Sequence, residues 1–102
     1  MSDKAALFVA VGEVELHFPG ARSLKDKRQA LRSLIERLRH RLQVLVIESD
    51  HPDLHQRAGI AIASLATAAE AARGTVQRAL DVVSESGLGV VLREDVQVQQ
   101  VR

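Results

Sequence analysis

The stretch Gln56-Arg57-Ala58-Gly59-Ile60-Ala61-Ile62-Ala63-Ser64-Leu65-Ala66 decides the fold. Its alanines favour a helix. Ile60 and Ile62 follow the turn Asp50-His51-Pro52-Asp53, and in that place they suit a strand paired antiparallel with whatever precedes the turn. What precedes it, residues 43–49, is an apolar and β-branched run that reads as a strand. Taking the stretch as a strand makes the centre of the chain a hairpin, and the rest arranges itself outward from there.

Upstream, residues 24–42 carry Leu24, Leu31, Leu34, Ile35, Leu38 and Leu42 within an arc of about 100° on a helical wheel. Ser23 is a good cap for that helix, and Asp26 three residues on resembles a capping box with the shorter acid. Before it, residues 7–18 form a long first strand that Pro19-Gly20 ends. Phe8, Ala10, Val14, Leu16 and Phe18 share the core-facing parity. The other parity is apolar at Leu7, Val9 and Val11 and polar from Glu13 onward, and Gly12 at the change marks a bulge or bend. Downstream, residues 67–86 repeat Ala68, Ala72, Val76, Ala79, Leu80 and Val83 at helical spacing. Gly87 and Gly89 stop this second helix, and residues 90–98 are the last strand.

The order strand–helix–strand–strand–helix–strand, with right-handed crossovers, predicts an α+β ferredoxin-like sandwich. It has a four-stranded antiparallel sheet with both helices on one face. One domain spans residues 1–102, the usual size for a single core. The loop after the first strand, the central hairpin and the loop at residues 86–89 are expected at one end.

The chain has no cysteine, which removes disulfides and thiolate metal sites. No apolar stretch approaches a membrane span and none resembles a signal sequence, so a cytoplasmic location without membrane attachment is expected. The net charge is only +1, but it is unevenly spread. Residues 22–41 hold eight basic and two acidic residues, a net of +6, and the remainder holds six basic and eleven acidic residues, a net of −5.

The phrase Leu16-His17-Phe18-Pro19-Gly20-Ala21-Arg22-Ser23-Leu24-Lys25-Asp26-Lys27-Arg28 resembles the hallmark of the YlxP-like family of bacterial proteins. Residues 48–58, Glu48-Ser49-Asp50-His51-Pro52-Asp53-Leu54-His55-Gln56-Arg57-Ala58, resemble that family's central segment, with His55 where a bulky aromatic is expected. The resemblance implies a ferredoxin-like fold and no established activity. It also implies genes that neighbour those for translation initiation and ribosome maturation, including ribosome-binding factor A.

Several surfaces compete for a function. Lys25, Arg28, Arg32 and Arg39 fall within about 60° of one another on the first helix, with Glu36 among them, a stripe able to track a phosphate backbone. The plain alternative is a solvated helix face. Lys25, Lys27 and Arg28 oppose the helix dipole in its first turns, so a bound anion or nearby acids must explain them, and Lys27 points towards the leucine side, where a lone charge needs a partner. Arg22, Ser23, Lys27, Asp50, Asp53 and Arg57 form a candidate loop-end cluster: an anion site, or an internal network in which Arg22 or Lys27 pairs with Asp50 or Asp53. His17, His51 and His55 with Asp50 and Asp53 suit a metal poorly, because a proline-containing turn holds ligands loosely, and no metal or other cofactor is expected.

No catalytic signature is present: there is no phosphate-loop glycine pattern and no Gly-x-Ser-x-Gly. Arg22 could mimic the phosphate-binding arginine of ferredoxin-like acylphosphatases, but the chain contains no asparagine for their catalytic step. Without Trp or Tyr, and with Phe8 and Phe18 facing the core, base stacking on the sheet is not expected either. The open face instead offers Leu7, Val9 and Val11, with Val44 and Val46 beside them, as a homodimer surface. Two functions follow: an accessory factor that meets ribosomal RNA or ribosomal subunits through the basic helix, or a dimeric protein-interaction or small-ligand module with no nucleic-acid role.

Overall fold

A computed structural model describes residues 3–102. Its elements are β1 (Phe8–His17), α1 (Leu24–Arg41), β2 (Leu45–Asp50), β3 (Arg57–Ala66), α2 (Ala69–Glu85) and β4 (Val90–Gln100). The strands form one antiparallel sheet in the order β2-β3-β1-β4, so the fold is the α+β ferredoxin-like arrangement with a βαββαβ chain path. The decisive stretch is a strand because Ala58, Ile60, Ile62 and Ser64 bury one parity, while Arg57, Ala61, Ala63 and Leu65 on the other are half-buried or exposed. Alanine's helix propensity is worth tenths of a kcal/mol per residue and yields to that burial.

Both helices lie on one face and enclose the core. Ala10, Val14, Leu16 and Phe18 meet Leu31, Leu34 and Leu38 of α1 and Val76, Leu80 and Val83 of α2. Ser23 caps α1, its hydroxyl accepting from the Asp26 amide at 3.2 Å, and the Asp26 carboxylate accepts from the Arg22 amide at 2.9 Å. α2 begins later than its pattern suggests, and Ala68 is its exposed N-cap residue with no side-chain bond to offer.

Gly12 does not mark a bend. Its register against β3 and β4 is unbroken, and it faces α2, where an added Cβ would lie 2.5 Å from Val76 Cγ1. The irregularities fall elsewhere: β4 shifts against β1 at Leu92, and β2 shifts against β3 at Ser49. At the second of these Gly59 is obligatory, since a Cβ would stand 2.7 Å from Asp50 Cβ.

The three loops do share one end of the sheet. The Phe18 amide donates to Gln56 O at 2.9 Å, Gln56 Nε2 donates to Ala21 O at 3.2 Å, and Gly89 lies against the Phe18 ring. Among the described residues, no helix is long and apolar enough to cross a membrane.

Candidate functional site

The core-facing leucines of α1 leave its opposite flank beside β2, the edge strand of the sheet. Between them runs a groove of about 420 Å³. Leu31 and Ile35 form its apolar floor, Arg28, Arg32, Glu36 and Arg39 one wall, and Glu48 of β2 the other. All three arginines and Lys25 are exposed. Arg39 reaches across and donates to the Val46 carbonyl of the edge strand at 3.4 Å. Lys25, Arg28 and Arg32 make no ion pair or side-chain hydrogen bond among the described residues.

The loop end consumes its cations internally, with partners other than the expected ones. Lys27 is fully buried; its ammonium lies 3.2 Å from Glu48 Oε2 and donates to the carbonyls of His51, Pro52 and Arg57 at 2.8, 3.4 and 3.2 Å. Glu48, two residues from buried Val46 on β2, lies on the helix side of the sheet, which places it under α1. Arg57 is on the opposite side and hydrogen-bonds Glu15, which also meets His51 Nε2 at 2.9 Å. Thus Asp50 and Asp53 pair with neither Arg22 nor Lys27. Ser23 serves as the cap, Asp26 brings negative charge to the same helix start, and among the described residues Arg22 contributes only its amide to a bond.

Sequence reasoning missed Glu15 and Glu48. Half a signal for Glu48 existed, since a lysine among the helix's leucines demands an acid, but the apolar run of β2 does not show which of its parities faces the core. His51 is held by Glu15 with its backbone at φ 58°, in the left-handed region. Among the described residues no three His, Cys, Asp or Glu side chains are grouped to hold a metal ion.

The Arg57 hydrogen bond, then that from His51, holds the Glu15 carboxyl below the usual carboxylate value of 4.5, although partial desolvation opposes them. A carboxyl whose pKa is lowered by folding stabilises the fold above its unfolded value, and that stabilisation is lost as pH falls through the folded value. Glu15→Gln is therefore expected to flatten the acid limb of stability below about pH 4.5 and leave the slope near neutrality unchanged. Melting temperatures of both proteins measured from neutral pH into that range check this.

The proposed dimer face needs one correction. Val46 is 2 % exposed and belongs to the core, and Val44 is half-buried against it. The apolar residues that β2 presents on the open face are Leu45 and Ile47, joined by Leu65 of β3. Val9 and Val11 lie on that face as expected, half-buried between neighbouring strands. Leu7 is half-buried and tied to the chain's end, its amide donating to Arg102 O at 2.9 Å and its carbonyl accepting from the Val101 amide at 2.7 Å.

Fold and groove together define a small ferredoxin-like α+β domain with an arginine-lined channel along one edge. The chain belongs to DUF503, described as a protein family of unknown function, whose model matches residues 9–96. No curated protein matches it. Among solved structures, the de novo designed protein Foldit4 is similar at 12 % identity and TM-score 0.49, covering 94 % of this chain and 97 % of that one. A C-terminal segment of the alpha subunit of aIF2 from Pyrococcus abyssi is similar at 15 % identity and TM-score 0.47, over 98 % of this chain and 53 % of that one. The designed protein Ferredog-Diesel follows at 10 % identity and TM-score 0.45, over 97 % and 89 %. None of these likenesses bears on function.

Proposed function

We propose that this domain is an RNA-binding accessory factor whose α1 meets the phosphates of ribosomal RNA through Lys25, Arg28, Arg32 and Arg39. One observation carries the reading: Lys27 and Arg57 are taken up by internal partners and Arg39 by one backbone carbonyl, whereas Lys25, Arg28 and Arg32 are exposed on one helix flank with no partner among the described residues. Cations in the first turns of a helix oppose its dipole. Lys27 has a structural reason to be there; Lys25 and Arg28 have none inside the protomer. The resemblance to YlxP-like proteins, with their genomic company of ribosome maturation genes, selects ribosomal RNA among polyanions.

Such contacts give affinity without base specificity, since side chains on one exposed flank reach phosphates and no aromatic stands among them. About four phosphates neutralised predict a loss of roughly 50- to 150-fold in binding between 50 and 200 mM salt. The test is co-sedimentation with purified ribosomal subunits across that range, using the native protein and a variant carrying Arg32→Glu and Arg39→Glu. Association that falls steeply with salt and vanishes in the variant is the expected result. Arg28→Glu, which touches no structural hydrogen bond, should weaken binding by itself. Unchanged binding in the charge-reversed proteins, or none at low salt, overturns the reading.

A further inference from the structure

The side of the sheet away from the helices carries an apolar block that none of the described residues covers. Reading across β2, β3 and β1, Leu45 stands beside Ala63 and Val11, while Ile47 stands beside Ala61. Leu65 and Val9 complete the block one row further along. Leu45, Ile47 and Leu65 project strongly, being 76, 63 and 67 % exposed. Ala61 and Ala63 lie between these projecting side chains as a hollow, and a trough of about 520 Å³ opens over Ala63 between Leu45, Leu65 and Val9.

We infer that this open face is the contact surface for a second copy of the chain, making a twofold dimer with the sheets facing each other and the helices outside. Size is the first argument. Strands about 4.8 Å apart that rise about 3.3 Å per residue, here 10, 6, 10 and 11 residues long, make a face of roughly 600 Å². A specific interface takes about 800 Å² of accessible surface from each partner, so covering this face engages most of a standard contact. A helix about 10 Å wide covers only half its breadth. The occupant is another flat surface of the same width, and the chain supplies one.

Shape makes the apolar half of the face complementary to itself. Projecting leucines and an alanine hollow occur side by side on one surface, which an isologous contact requires. In the polar half, Glu13 stands directly opposite Asp95, an unfavourable pair, while neighbouring Arg93 has no carboxylate partner among the described residues. The polar half of the face therefore carries acids in excess, and the twofold contact centres on the apolar block instead.

Sedimentation equilibrium of the purified chain in steps from low to high micromolar concentration is expected to give twice the protomer mass. Ile47→Asp and Leu65→Asp are both exposed in the protomer and leave its fold intact, as circular dichroism will verify, and each should weaken association roughly 100-fold. Because the chain has no cysteine, Ala63→Cys should oxidise to a linked dimer, whereas Gln77→Cys on the exposed flank of α2 should not. A monomer at every concentration overturns the proposal. So does a dimer that survives both aspartates and fails to link at position 63.

Discussion

Lys27→Met is expected to destabilise the protein by about 3 kcal/mol, which for a domain of this size lowers the melting temperature by roughly 12–20 °C. The ammonium is wholly buried and serves four acceptors at once: the Glu48 carboxylate and the carbonyls of His51, Pro52 and Arg57. Methionine fills a similar volume but donates nothing, so the carbonyls lose their partner in a site that water reaches poorly. An unsatisfied buried acceptor costs about 1–3 kcal/mol. Glu48 softens the loss, because its side chain is 28 % exposed and regains water. Glu48→Gln is a different case, because it leaves the buried ammonium without its carboxylate, and it should cost about 2–3 kcal/mol. Urea denaturation followed by circular dichroism measures both. A Lys27→Met protein within 1 kcal/mol of the parent would mean that water replaces the ammonium and that the hairpin stands without its clamp.

The same lysine shows where sequence reading works and where it stops. The helix periodicity placed Lys27 on the buried side of α1 and required a partner for it. The loop-end geometry put the Asp50–Asp53 turn within reach, and the turn is where the ammonium goes. What it takes there, though, is mostly backbone oxygen, and the sequence does not advertise carbonyls. The acid it meets is Glu48, because β2 is apolar on both parities over Val44, Leu45, Val46 and Ile47, and such a run carries no alternation to set its register. Register was decided instead by the Ser49 bulge opposite Gly59, a backbone event. One wrong parity moved Val46 to the open face, hid Leu45 and Ile47, and concealed Glu48 under the helix. β1 had no such difficulty: its polar residues from Glu13 onward fixed which side faces the helices. The basic flank of α1 was legible because a helix carries its own period and no partner strand is needed to fix it.

Gly12 is the other place where sequence reading named the right residue for the wrong reason, and it supports a second large effect. Gly12→Val is expected to cost about 3 kcal/mol or more, although valine has the higher strand propensity. An added Cβ would meet Val76 Cγ1 at 2.5 Å, with both Leu80 methyl groups at 3.6–3.7 Å behind it. Val76 is fully buried and β-branched, so in a helix it has essentially one rotamer and cannot turn aside. α2 would have to lift off β1, opening contacts along its whole buried stripe. A reciprocal pair separates this from strand stiffness. Gly12→Ala alone should destabilise by about 1–2 kcal/mol, because the clash exceeds the gain from restricting the unfolded chain. In a Val76→Ala background the methyl fills the space vacated, and Gly12→Ala should then stabilise. The two substitutions couple by about 1–3 kcal/mol. If Gly12→Ala stabilises the protein with Val76 still present, α2 has slack above β1 and the glycine is there for backbone freedom. If the sign reverses only when Val76 is trimmed, the glycine is there so that a helix can lie close enough to the sheet to close the core.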